Sequence, residues 1–329
     1  MFDIIALGSA TVDVFADTDS ELLIVATNES RAKHICYPSG SKILMKKLSF
    51  EIGGGGTNTA VAFSRLGLKT AYLGNLGKDD NAHLITDLLK NEDVDFLGTY
   101  GSEKTNYSII LDSIEHDRTI LVYRDASDKM LFSKVKKDKL KTKWIYSSSL
   151  LGTSYRSLLK LLGYAKQNKV KTAMNISCYQ AEQGARKLKP LLDNLDVLIF
   201  NKEEAQAMLN TESNDIFTLL KKTRKTGPKV VVITNGSEGA HAFDGKTYYF
   251  VKASDIRAVE CTGAGDAFAS SFVAGLVKGC SIEFAMQLGV ANSQSVIRHI
   301  GAKNKLLTWN EAVKDIKAYK LKVKKAGLV

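Results

Sequence analysis

Short apolar runs alternate with amphipathic stretches along the chain. Ile4-Ile5-Ala6-Leu7 stops at Gly8, Trp144-Ile145-Tyr146 at Ser147, Val197-Leu198-Ile199-Phe200 at Asn201, and Val230-Val231-Val232-Ile233 at Thr234. Continuous runs of this kind suit strands buried on both faces of a parallel sheet. Between them, residues 57–66, 82–91, 155–167, 203–209 and 215–223 read as helices. The alternation predicts an α/β fold, a doubly wound and mostly parallel sheet flanked by helices, with 1–329 as a single domain.

Two regions break the rhythm. Residues 105–124 alternate as Tyr107, Ile109, Leu111 and then Thr119, Leu121, Tyr123, with the polar turn Ser113-Ile114-Glu115-His116-Asp117 between the halves. That pattern is a hairpin. Residues 14–50 lack a clear helix and contain Pro38-Ser39-Gly40. Together, about 14–50 and 98–125 are expected to form a small β-sheet lid that pairs with a second copy, giving a homodimer, or closes over a ligand. An ordinary surface hairpin has the same pattern. There is no internal repeat, and only 3 prolines punctuate the chain, so no linker stands out.

Apolar residues make up 44%, enough for a full core, yet no window has the run of about 18 that a spanning helix requires. Met1-Phe2-Asp3-Ile4-Ile5 has no basic n-region, so no signal peptide is expected. Cys36, Cys178, Cys261 and Cys280 are scattered without metal-like spacing and read as reduced thiols, which points to a cytoplasmic protein. The net charge of +11 owes much to runs such as Lys134-Val135-Lys136-Lys137 and 320–325, read as solvated faces. No aromatic residues interleave with them, so nucleic acid is not an expected partner, nor is a membrane.

Candidate chemistry sits in two glycine turns. Gly53-Gly54-Gly55-Gly56-Thr57-Asn58 precedes a helix, where glycines let a ligand approach the backbone and Asn58 offers a donor and an acceptor to sugar hydroxyls. The plainer reading is a tight turn capped by Thr57. Glu260-Cys261-Thr262-Gly263-Ala264-Gly265-Asp266 also opens a helix, and Gly263, Ala264 and Gly265 bare amides that suit an anion. A carboxylate there needs a task. Asp266 is expected to take the proton of a hydroxyl attacking phosphorus, or else to cap the helix. No Gly-x-x-x-x-Gly-Lys-Ser/Thr loop is present, and Phe268 stands where a dinucleotide fingerprint needs its third glycine.

Taken together these motifs resemble the ribokinase-like, or PfkB-type, carbohydrate kinases over nearly the whole chain. Residues 53–77 look like the family's first signature and 260–268 like its second. Gly8-Ser9-Ala10-Thr11-Val12-Asp13, Asn201-Lys202-Glu203-Glu204 and Thr234-Asn235-Gly236-Ser237-Glu238-Gly239 follow in the family's order. The resemblance implies an ATP-dependent kinase, a phosphotransferase acting on a hydroxyl of a sugar or sugar-like molecule. Asp266 is its general base, and the backbone of Gly263, Ala264, Gly265 and Asp266 is its anion hole. Asp13, Gly53, Gly54 and Asn58 hold the acceptor. Asn201 and Glu204 place a hydrated Mg²⁺, and Thr234, Gly236, Gly239 and Asn292 line the nucleotide. Each has a plainer alternative: Asp13 is a loop carboxylate, Asn201 and Glu204 a helix capping box, Asn292 helix-surface polarity.

Two departures bear on the details. Glu260-Cys261 stands where many members have Asp-Thr, so potassium (K⁺) activation does not carry over. Gly55 stands where ribokinases proper have Lys, so ribose does not either. Arg124 meets either an acidic substrate group or Asp125 or Asp128. The alternatives are a nucleoside kinase of the same family and a catalytically silent sugar- or nucleotide-binding protein. An NAD-dependent oxidoreductase lacks its fingerprint.

Overall fold

In the computed structural model, which describes residues 1–18, 21–26, 31–112, 118–299 and 301–327, ten strands join in one sheet. From one edge, Val94–Phe96, Thr70–Leu73, Phe2–Leu7, Thr142–Ser147, Lys171–Asn175, Val197–Asn201 and Val230–Thr234 run parallel. Ala240–Phe243, Thr247–Val251 and Val323–Gly327 then complete it antiparallel.

The continuous apolar runs are explained by two cores, one on each face. Ile4, Ala6, Tyr146, Ile199 and Val232 belong to one cluster; Ile5, Leu7, Ile145, Leu198 and Val231 belong to the other. Successive residues of each strand therefore alternate between cores, as the pleat requires. Helices Gly55–Arg65 and Ala264–Val277 cover the first face through Phe63, Phe268 and Phe272. Helices Gly152–Gln167 and Gly184–Leu192 cover the second through Leu158, Leu161, Leu188 and Leu191. Each such buried side chain contributes roughly 1.5–3 kcal/mol.

A four-stranded sheet stands apart, in the order Arg118–Tyr123, Asn106–Asp112, Thr11–Thr18, Met45–Gly53. Its central pair is parallel, which the sequence pattern of a simple hairpin does not disclose. The expected turn Ser113, Ile114, Glu115, His116 and Asp117 lies outside the described residues. Val14 pairs with Phe50 and Ile109, and Ile109 with Leu121, so these form one row on one face. Asp13, paired with Ser108 and Glu51, lies on the other. Glu21–Ala26 and Arg31–Cys36 form a separate antiparallel pair.

The run 320–325, expected to be only a solvated face, contributes the edge strand Val323–Gly327. Lys324 and Lys325 stay exposed on it while its backbone pairs with Thr247–Val251. Charged lysines on an edge strand discourage further pairing.

Candidate active site

The site lies beyond the carboxyl ends of the parallel strands, where open α/β sheets bind ligands. Gly54, with φ +94°, caps helix Gly55–Arg65 with no side-chain bond. Thr57 is therefore not the cap: it sits inside the helix, its hydroxyl donating back to the Gly53 carbonyl at 2.7 Å. A side chain at Gly53 would collide with the Asp13 carboxylate, 1.9 Å from its Cβ position, and one at Gly55 would approach Asp266 Oδ1 at 3.4 Å. The first glycine turn thus brings its backbone close to both carboxylates.

Gly263, with φ +80° in the left-handed region, caps helix Ala264–Val277. The first-turn amides of such a helix have no intrahelical acceptor and favour negative charge. Asp266 lies in this turn and accepts a hydrogen bond from Asn58 Nδ2 at 2.9 Å. Burial pushes its carboxyl up, opposed by the Asn58 bond and by the charge of Lys303. Asp13 is also raised by burial, against a Ser108 hydrogen bond and the same lysine. Asp266, Asp13, Gly53, Gly54 and Asn58 are thus brought together.

A cavity of about 330 Å³ opens on the other side of Asp266. Thr234, Gly236 and Gly239 line one wall, Ala264 and Gly265 the wall next to Asp266. Asn201 pairs with Thr234 across neighbouring strands, so helix Lys202–Leu209 begins at the same edge. Asn201 Oδ1 accepts from Glu204 N at 2.7 Å and Glu204 Oε2 from Asn201 N at 2.8 Å, a complete capping box. Burial raises the Glu204 carboxyl, partly offset by that backbone bond. Among the described residues no cluster of three His, Cys, Asp or Glu forms a metal site.

Asn292 is a correction. It is fully buried, its Nδ2 donating to Ser271 Oγ at 2.6 Å and its Oδ1 accepting from Leu307 N at 3.0 Å. It ties two helices to the following loop, and its neighbours Ser293 and Gln294 line the cavity instead. Arg124 forks onto Asp128 at 3.0 and 3.1 Å, while Asp125 pairs with Lys129. Sequence reasoning missed Lys303, 8% exposed, because the segment around it has no periodic pattern. It also missed Gln294, whose buried amide has no hydrogen-bond partner among the described residues.

The sequence model of the pfkB family carbohydrate kinase matches residues 2–309. The chain belongs to the pfkB family. As a pfkB family member it is a carbohydrate kinase, a phosphotransferase with an alcohol group as acceptor. It is 27% identical over 312 residues to a 5-dehydro-2-deoxygluconokinase of Bacillus licheniformis, covering 90% of each chain. It is 25% identical over 268 residues to an ATP-dependent 6-phosphofructokinase of Thermoanaerobacterium thermosaccharolyticum, covering 76% of this chain and 80% of that one. The pfkB fold is matched by the Arabidopsis thaliana ribokinase solved with ribose and ATP, with a TM-score of 0.78 at 21% identity over 95% of this chain and 98% of that one.

Proposed function

We propose that this kinase transfers the γ-phosphoryl group of ATP to a hydroxyl of a keto-deoxy sugar acid, with Asp266 as general base. The observation that carries the reading is the position of Asp266. It directly follows Ala264 and Gly265, which line the 330 Å³ cavity that suits a nucleotide, and its carboxyl reaches the first glycine turn, close to Gly55 and bonded to Asn58, the turn that also meets Asp13.

In this reading the acceptor hydroxyl lies against Asp266 Oδ1. Its oxygen bonds to the γ-phosphorus as its proton passes to the carboxylate. The bond from that phosphorus to the β-phosphate oxygen breaks, and ADP leaves. Such a transfer needs placement and charge stabilisation more than covalent help. The amides of Gly263, Gly265 and Asp266 supply the stabilisation, reinforced by the helix dipole, whereas the Ala264 amide donates to the Cys261 carbonyl at 3.2 Å. Asp13 and Asn58 orient the acceptor, and Thr234, Gly236 and Gly239 hold the nucleotide.

The donor set fits a hydrated Mg²⁺ at Glu204. One carboxylate oxygen is committed to Asn201 N–H, leaving the other for a water of the ion, and Mg²⁺ commonly binds through one or two carboxylates plus phosphates. Bound there, it neutralises phosphate charge. The four-stranded sheet serves as the lid over the acceptor.

The sugar acid class follows the naming of the Bacillus licheniformis relative. A screen with ATP and Mg²⁺ over keto-deoxy sugar acids, free sugars, sugar phosphates and nucleosides tests it. The expected result is the highest kcat/KM on a keto-deoxy sugar acid. A preference for a hexose phosphate or a nucleoside overturns the acceptor class but not the base.

A further inference from the structure

Lys303 is a buried cation beside Asp13 and Asp266 that the mechanism above does not use. Its ammonium donates to Asn58 Oδ1 and to the Ile52 carbonyl, immediately before the first glycine turn. Asn58 Nδ2 in turn donates to Asp266 Oδ2. A chain of bonds therefore runs from Lys303 through Asn58 to the carboxylate read as the base.

The direction of that chain is forced. Lysine has donors only, whereas an amide has a donor end and an acceptor end of nearly equal size. Turning the Asn58 amide over would set its NH₂ against the ammonium and its oxygen against the Asp266 carboxylate, two repulsive contacts in place of two bonds. We propose that Lys303 is a positioning residue, locking Asn58 in the one orientation that holds Asp266 and leaves its other oxygen, Oδ1, for the acceptor hydroxyl. The inference rests on the reading of Asp266 as base and deepens it.

The backbone around Lys303 suits the task. Arg65 Nη1, on the helix that carries Asn58, donates to the Lys303 carbonyl at 2.8 Å. Ala302 packs so closely on Gly263 that a Cβ there would come within 2.4 Å of it, and Gly301 N–H donates to Glu260 Oε2 at 3.0 Å. Residues 301–303 thus touch both glycine turns and set their separation.

Charge adds to geometry. Around Lys303 stand Asp13 and Glu51 on the small sheet, Asp266 on its helix, and Arg65, itself paired with Glu92. The buried Tyr146 hydroxyl also faces Asp266. Burial brings Lys303 down to about 8, against the pull of those carboxylates, which favour its charged form. Its charge opposes the burial that raises Asp266.

The test uses Lys303→Met and Lys303→Gln with Asp266→Asn as control, reading kcat/KM against pH on a keto-deoxy sugar acid with ATP and the Asp266 carboxyl titration by ¹³C NMR. Loss of the cation should move the acid limb and the NMR titration upward by about one pH unit in both variants. Lys303→Gln, which keeps a donor for Asn58, should retain more kcat than Lys303→Met. Unmoved profiles in folded Lys303 variants, with Asp266→Asn inactive, overturn the inference and leave the base intact. An active Asp266→Asn overturns the base reading itself. If the Lys303 variants do not fold, the Asn58 side-chain amide of the unaltered protein, followed by ¹⁵N NMR, should shift as Lys303 loses its proton near pH 8. An amide signal that stays unmoved through that titration overturns the inference.

Discussion

Asp266 is pulled two ways, since burial disfavours its charge while Asn58 and Lys303 favour it. A base so placed is ionised only above a raised threshold, and activity should fall as pH drops through it. Asp266→Asn keeps the shape and can still accept from Asn58, yet it cannot take a proton. Removing a general base costs about 10²–10⁴-fold. A fall of that order in kcat is expected, with nucleotide KM little changed and the melting temperature within a few degrees. Retention of more than a third of kcat would sink the assignment.

Glu204→Gln separates the two readings of its motif. The glutamine oxygen can still accept from Asn201 N–H, so the capping box and the fold should survive, a cap being worth about 1 kcal/mol. The Mg²⁺ requirement should rise and turnover fall; an unaltered Mg²⁺ dependence reduces Glu204 to a cap. At this scale Asp266, Asn58 and Gly53 were legible because glycine turns before helices announce anion and close-approach chemistry. Lys303 was not, since a lysine in an irregular loop carries no mark of burial. Asn292 misled because a helical polar residue looks alike whether it faces a ligand or braces two helices.

Among elements, the four-stranded sheet has an apolar row that is covered only in part. Phe50 is 58% and Leu121 53% exposed at its two ends, while between them Ile109 is half-exposed and Val14 is buried in the main core. We expect this face to pair with a second copy, giving a homodimer through the lid. Sedimentation should show twice the 36.0 kDa chain mass, and Leu121→Glu should dissociate it. A 36.0 kDa monomer at micromolar concentration counts against the pairing. The hairpin was visible in the sequence through period-two alternation. The parallel partnership of Thr11–Thr18 with Asn106–Asp112 was not, because pairing across about a hundred residues leaves no local trace. The antiparallel end of the main sheet was hidden for a related reason: Ala240–Phe243 is too short to show a period, and the lysines of Val323–Gly327 masked its strand.

For the whole molecule, the parallel sheet and its two cores followed from runs apolar at every position, which only burial on both faces explains. The assembled site did not follow, because its parts come from both ends of the sequence. The Asn58–Asp266 bond joins residues 208 apart, and the Lys303–Ile52 bond residues 251 apart. That span has a kinetic consequence. Closing long loops costs entropy before the contacts repay it, and chains of this size collect intermediates on the way. Strands and helices should therefore form first on dilution from denaturant, and the two glycine turns should meet last. Ellipticity should return ahead of kinase activity, with a lag that does not shorten at higher enzyme concentration if the slow event lies within one chain. Simultaneous recovery of both signals would mean that the turns meet as early as the sheet does.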